Sequence, residues 1–558
     1  MNSTAPNASS HVFPWLKSYA PGVDWNIDIP DQPVYKFLDD SVAKYPDRKA
    51  LVCAGHSYDY KTVGALVDCA TKGLWELGVK KGTKVGLFMP NTAYSVVMYY
   101  AILKAGATVV NFNPAYIDRD LAAQANDSDT QFLVTLDLPP LMEKAKNLAE
   151  NSGIEKVIFC PAKQNLRETV SGASPLPSDK TVWFAELIHN DGQHNETLID
   201  PDRDIAVLQY TGGTTGIPKG AALTHKNLVA NASQIGQWYH NAEDGHDSMI
   251  AVLPLFHVFA MTVVMNMSIK KGMTLFIMPA FSVSELLDLV KREKPAYLAA
   301  VPAMYIALAN YDRISEHDFS TLKFCLSGGA PLPAEVKRLF ETRTKAKLVA
   351  EGYGLTEFSP VATCNPLTEK AKGGSIGLPL PGTLLEIVSL VDGTTVLQPG
   401  EKGEICVQGP QMMAGYYKRD DETANVIRNG RLHTGDVGYM DDDGFVFIVD
   451  RVKDMVLVGG YNVYPRHIEE VLYTHPAVEE CIVADVPDAL RGEVVQAWVK
   501  LRAGETATGD VLKVWMGDKL SPIEIPKKII VRTEPLPKTA VGKLSKRDLL
   551  IQEGIKKA

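Results

Sequence analysis

Residues 210–220 read YTGGTTGIPKG, and these residue types suit the holding of a phosphate group. Gly212, Gly213 and Gly216 let backbone amides turn toward an anion with no Cβ in the way, Thr211, Thr214 and Thr215 add hydroxyl donors, and Lys219 adds a positive charge. A mobile surface turn is the plain alternative. Such a turn needs neither three hydroxyls nor a lysine held behind Pro218. The segment is not a Walker A loop, because Lys219 follows a proline and precedes Gly220 where that loop has Ser or Thr. An ordinary P-loop ATPase is therefore disfavoured.

Five further segments follow: SGGAPLP at 327–333, EGYGLTE at 351–357, HTGD at 433–436, DRVKDM at 450–455 and PKTAVGK at 537–543. Together with the glycine and threonine loop they resemble, in order, the motifs of the acyl-adenylate-forming enzymes. That superfamily holds acyl-CoA synthetases, nonribosomal adenylation domains and luciferases. The likeness runs over about residues 30–550. It implies a phosphate loop, an adenine-site loop, a central motif, a ribose motif, an interdomain hinge and a carboxy-terminal catalytic lysine. It also implies ATP, Mg²⁺ and CoA as the small molecules handled.

The chemistry of the matching residues agrees with those roles. Glu357 offers a hard oxygen ligand, directly or through water, to the Mg²⁺ that accompanies ATP, and Thr356 offers a hydroxyl to the nucleotide or the carboxylate. Asp436 suits both ribose hydroxyls, with Arg451 assisting from the domain boundary. Gly329, Ala330 and Pro331 form a slim backbone ledge for a planar base, and Tyr353, flanked by Gly352 and Gly354, would stack on it; core packing explains Tyr353 taken alone equally well.

Lys543 is the expected catalytic group. Attack of a carboxylate on the α-phosphorus of ATP concentrates negative charge on equatorial oxygens, and a lysine held there stabilises that charge more than it stabilises the bound reactants. In similar enzymes the small domain rotates after acyl-AMP forms, and Lys453 is the matching pivot. Gly459 and Gly460 then permit close passage of an extended pantetheine arm, although a simple hairpin turn is the other reading of that pair. Residues 521–558 hold nine Lys/Arg against four Asp/Glu, a surplus that would attract the phosphates of CoA.

Within the superfamily the chain looks most like bacterial fatty-acyl-CoA synthetases, through Gly213, LPLFHVFA at 253–260 and VKDMVLVGGYNVYP at 452–465. His257 and its apolar neighbours would border the acyl channel. Two positions depart from the pattern: Arg431 stands where the long-chain signature usually has Trp, and Met261 stands where some relatives keep a gating Trp. The expected activity is a fatty-acid:CoA ligase. The same mechanism on a medium-chain, dicarboxylic or aryl acid, or a non-catalytic fatty-acid or nucleotide binder, are the alternatives. Residues 373–377, GGSIG, fit a serine-hydrolase elbow, but Pro379, Pro381 and Gly382 forbid the helix that must follow Ser375.

The elements that must position these residues read as α/β. Strands are expected at 84–89, 108–112, 132–136, 205–209, 273–278, 297–301 and 324–327, with helices at 93–104, 283–293 and 333–342. The uncharged stretch 248–269 reads as a buried strand followed by an apolar helix rather than a membrane span, because Pro254 suits a strand-to-loop transition. Turn signals from Pro381-Gly382 to Asp443-Gly444 mark an antiparallel β subdomain up to about 450, and from Pro465 the order is helix, strand, strand, helix, strand. The expected fold class is α/β: a large domain, 1–452, of layered α/β sheets plus a β subdomain, and a small mobile α+β domain, 453–558.

With 558 residues, 46% hydrophobic and 22% charged, composition suits a soluble multidomain chain. A net charge of −9 disfavours nucleic acid as a partner. Seven scattered cysteines without metal-ligand spacing read as reduced cytosolic thiols, and residues 1–22 lack the pattern of a secretory signal. The expected location is cytoplasmic. Loose peripheral contact at the inner face of a membrane and homodimerisation are both left open.

Overall fold

A computed structural model describes residues 13–162, 165–166, 174–211, 218–458, 461–488, 492–539 and 544–556. Among them, β-branched runs bounded by turn residues pair into four sheets. In the eight-stranded sheet, Thr108–Asn111, Lys84–Phe88, Thr130–Leu136 and Lys156–Cys160 run parallel, and Ile205–Thr211 joins beside Thr108–Asn111. In the nine-stranded sheet, Ser248–Ala251, Thr274–Ile277, Tyr297–Ala300, Phe324–Ser327 and Val349–Gly354 form the parallel centre.

One continuous apolar core takes residues from both large sheets. The helix Ala93–Lys104 is buried on every side except at Lys104, and an apolar residue on every face is what such a position requires. It starts on a capping box, in which Thr92 Oγ1 accepts from the Ser95 N–H at 3.1 Å and Ser95 Oγ accepts in return from the Thr92 N–H. Gly86 is needed where Leu133 and Phe112 press on its strand, since a Cβ there would lie 2.8 Å from both side chains.

The third sheet is antiparallel and built from Leu384–Val388, Gly403–Gln408, Ile427–Arg428, Arg431–Met440 and Val446–Arg451. The fourth holds Val456–Val458, Tyr461–Val463, Val478–Asp488, Gly492–Leu501 and Lys528–Arg532, with the helices Pro465–Tyr473 and Gly509–Gly517 packed on its core. Part of the carboxy-terminal surplus of cations is matched locally. Arg532, Lys538, Lys546 and Lys556 pair with Glu553, Glu480, Glu469 and Asp485, and Lys527 pairs with Asp488.

Several element ends differ from expectation. The helix expected at 333–342 is Ala334–Thr344, with Pro333 as its cap and Lys345 ending it at φ +58°. Within 248–269 the strand Ser248–Ala251 is followed by a π-helix, Ala260–Asn266, before the α-helix Met267–Lys270. Sequence periodicity does not separate α from π spacing where every face is apolar. No helix of the described residues is long and apolar enough to cross a membrane. Ser375 lies in a loop, accepting the Gly377 N–H at 2.8 Å, and leads into the strand Leu378–Pro379.

Candidate active site

Gly212, Gly213, Thr214, Thr215 and Gly216 lie outside the described residues, as do Gly459, Gly460 and Lys543. The stems of the phosphate loop are described. Ile205–Thr211 pairs antiparallel with Lys219–Thr224, so Thr211 stands opposite Lys219 at the loop's base. Lys219 is only 15% exposed in its side chain, and its Nζ lies 2.5 Å from Glu422 Oε2 and 5.3 Å from the Tyr416 ring centroid. A phosphate arriving here meets a cation already held by a carboxylate and an aromatic face.

A short third strand, Gly415–Tyr416, adds to Lys219–Thr224 through Ala221 and Ala222. The Tyr417 N–H donates to the Gly220 carbonyl at 2.8 Å. This addition carries Tyr416 to the central motif, where its hydroxyl donates to Glu357 Oε1 at 2.6 Å. The Met413 N–H also donates to the Glu357 carbonyl at 2.9 Å. Thr356 and Glu357 sit on one 3₁₀ turn, Thr356–Phe358. The Glu357 carboxylate is thus fixed, and a hard oxygen held in place is what a phosphate-bound Mg²⁺ would accept.

Tyr353 hangs from the strand that leads into that turn. Its hydroxyl donates to Asp436 Oδ2 at 2.5 Å, and Arg451 Nε donates to Asp436 Oδ1 at 3.1 Å. The register of Arg431–Met440 against Val446–Arg451 sets Asp436 directly opposite Arg451. Contacts thus join Lys219 to Glu357 through Tyr416, and Tyr353 to Arg451 through Asp436, while Tyr353 and Glu357 belong to consecutive elements of the chain. These contacts include a cation suited to phosphate and a carboxylate suited to ribose hydroxyls.

The segment expected to form the adenine ledge leaves the strand Phe324–Ser327 at Gly329, φ +83°. The Leu332 N–H donates to Glu351 Oε2 at 3.2 Å, which ties the segment holding Ala330 and Pro331 to the strand Val349–Gly354. Burial pushes the Glu351 carboxyl up to about 7, against the Leu332 N–H and the positive charges of Arg466 and Lys337. A Cβ on Gly328 would lie 3.0 Å from the Phe259 ring, and at Gly354 a Cβ would lie 2.1 Å from the Pro360 carbonyl oxygen, so that position accepts glycine alone.

His257 sits on a loop pinned by two amides. Asn91 Nδ2 donates to the carbonyls of Leu253 at 2.8 Å, Met278 at 3.2 Å and Ala251 at 3.3 Å, and Asn91 Oδ1 accepts the Leu255 N–H. Gln209, two residues before Thr211, donates to the Phe256 carbonyl at 3.0 Å. The stem of the phosphate loop and the segment carrying His257 are therefore joined. Met261 is fully buried, with its sulfur 3.5 Å from Asn111 Nδ2.

The profile of the AMP-binding enzyme family matches residues 38–417. This chain belongs to the AMP-binding enzyme family. The family's carboxy-terminal domain matches residues 467–543. A long-chain-fatty-acid–CoA ligase of Bacillus subtilis (strain 168) is 40% identical over 560 residues, covering 97% of this chain and 98% of that protein. A protein of the same name from Escherichia coli O157:H7 is 35% identical over 559 residues, covering 96% and 97%. The crystal structure of ATP-bound MatB from Rhodopseudomonas palustris superposes with a TM-score of 0.83 at 27% identity, covering 94% of this chain and all of that one.

Between the two matched regions of this AMP-binding enzyme lies the segment expected to act as hinge. Burial and the neighbouring charge of Arg451 lower the pKa of Lys453, with Lys546 adding to the repulsion. The Arg466 N–H reaches back to Asp450 Oδ2 at 2.9 Å. Sequence reading did not single out Tyr416, Glu422, Asn91 or Gln209, and it gave Glu351 no role although that residue opens the 351–357 segment. Each acts through a partner on another element, which local spacing does not reveal.

Proposed function

We propose that this AMP-binding enzyme is a long-chain fatty-acid:CoA ligase. In the first step a carboxylate oxygen of the acid attacks the α-phosphorus of ATP, the bond to the bridging oxygen breaks, and pyrophosphate leaves with acyl-AMP formed. In the second, the sulfur of CoA attacks the acyl carbon, the bond to the AMP oxygen breaks, and AMP leaves as the thiol proton passes to solvent. The observation that supports the adenylating half is the set of contacts joining Lys219 to Glu357 through Tyr416 and Tyr353 to Asp436, which offers a phosphate cation and a ribose acceptor from neighbouring elements. The acid class follows from full-length likeness to long-chain ligases at 40% and 35% identity.

In this reading Thr211, Gly212, Gly213, Thr214, Thr215, Gly216 and Lys219 cradle the phosphates. Thr356 orients the reacting groups, and the ledge at Gly329, Ala330 and Pro331 seats the base against Gly352, Tyr353 and Gly354. Asp436 and Arg451 hold the ribose. Glu357 is the protein's oxygen ligand for Mg²⁺, which when bound neutralises phosphate charge. His257 borders the acyl channel, the 453–558 unit pivots at Lys453, and Gly459 and Gly460 flank the CoA arm. The enzyme works in the cytoplasm and takes up an acid that partitions into bilayers.

Lys543 supplies the charge that stabilises the transition state of adenylation. Lys543→Ala is expected to lower acid-dependent exchange of pyrophosphate into ATP by about 100-fold or more, while transfer of acyl from supplied acyl-AMP to CoA persists. Unchanged exchange in the variant would remove Lys543 from the chemistry.

A further inference from the structure

The carboxylate of Asp436 is aimed by a distortion of its own strand. Where Arg431–Met440 pairs with Gly403–Gln408, Glu404 stands opposite Val437 and Cys406 opposite His433, so Ile405 alone faces residues 434–436. This is a β-bulge, the local device that re-aims a side chain beside a site. Gly435 sits within it at φ +72°. The Thr434 hydroxyl donates to the Ile405 carbonyl at 2.7 Å and accepts the Asp436 N–H at 3.1 Å.

One side chain spans the bulge. Glu404 Oε1 accepts the Gly435 N–H at 3.0 Å, and Glu404 Oε2 meets His433 Nδ1 at 2.8 Å. Cys406 Sγ lies 3.3 Å from the same ring nitrogen, and Arg428 approaches Glu404 at 3.5 Å. The His433 ring is 4% exposed and the Glu404 side chain 12%, so these contacts are made with little competition from water.

We infer that Glu404 is a positioning residue for the nucleotide ribose, holding the 433–436 bulge so that Asp436 faces the ribose hydroxyls. The inference rests on the reading of Asp436 as the ribose acceptor. It predicts an effect confined to the part of the nucleotide that Asp436 touches.

The test compares ATP with 2′,3′-dideoxy-ATP in the acyl-CoA-forming reaction of the full chain. Glu404→Ala is expected to lower kcat/KM for ATP by about tenfold or more, with less than about a twofold loss for the dideoxy nucleotide and unchanged KM for acid and CoA. Glu404→Gln keeps an oxygen for the Gly435 N–H and a polar group for His433, and is expected to restore most of the ATP activity. If Glu404→Ala does not fold, Glu404→Asp, with the charge on a shorter arm, should show the same nucleotide-selective loss. Equal losses with both nucleotides, or none with ATP, would overturn the inference. Asp436→Ala separates the two layers: if it discriminates between the nucleotides while the Glu404 variants do not, the positioning role alone falls, and if it does not discriminate, the ribose assignment falls with it.

Discussion

Glu351 shows how a side chain outside the chemistry holds the site together at a cost. Its carboxyl accepts from the Leu332 N–H, yet burial raises its pKa to about 7, well above the unfolded carboxyl near 4.5. A carboxyl raised in this way contributes stability that is fully present below the unfolded value and is lost as pH rises through about 7. Glu351→Gln keeps an oxygen for the Leu332 N–H and removes the charge. Denaturant unfolding should show the variant more stable than the parent at pH 8 and no more stable at pH 4.5. A parent at least as stable as the variant at pH 8 would mean that the ionised carboxylate is welcome there. Residues of this kind were the least legible in the sequence. Lys219, Glu357 and Asp436 stand inside compact segments whose residue types announce a phosphate, a cation or a hydroxyl pair. Tyr416 meets Glu357 across 59 positions and Glu422 meets Lys219 across 203, so only folding reveals them.

Whole elements were easier to read than their irregularities. The helices Ala93–Lys104 and Val283–Glu293 and the strand Phe324–Ser327 lie where periodicity puts them, and the order of elements after Pro465 agrees as far as Lys528–Arg532, beyond which the helix Lys546–Gln552 was not expected. The bulge at 434–436 and the π-helix Ala260–Asn266 left no such trace, because both are set by what packs against them. The last helix, Lys546–Gln552, gives an element-scale prediction. Lys546, 26% exposed, lies 3.5 Å from Glu469 Oε1, and although burial works against its charge, Glu469, Asp450 and Asp454 together hold its pKa above the ordinary value. Lys546→Met leaves the enclosed Glu469 carboxylate without its cation, at an expected cost of about 1–3 kcal/mol, less than for a fully buried pair because Lys546 keeps part of its surface in water. Burial already raises Glu469, with Lys546 pulling it back down, so the loss should be larger at pH 8 than at pH 5 in chemical unfolding. A loss independent of pH would place the effect in packing alone.

At the scale of the molecule, two large sheets share one core while the antiparallel sheet brings Asp436 and Arg451 to its rim, and the small sheet follows directly after Arg451. The parts expected to bind ATP thus come from three sheets and from segments far apart in sequence. The acid is fixed less firmly by this architecture than the nucleotide, since Arg431 and Met261 depart from the long-chain pattern and Met261 is fully buried. Arg431 pairs with Glu386 at 2.8 Å, which accounts for an arginine at that position. The most direct test of the account is therefore ATP- and CoA-dependent thioester formation by the purified protein, across saturated acids from short to long with dicarboxylic and aryl acids included. The account predicts AMP and pyrophosphate in step with acyl-CoA and a maximum among the long aliphatic acids. Turnover of dicarboxylic or aryl acids alone, or no thioester from any acid, would contradict it.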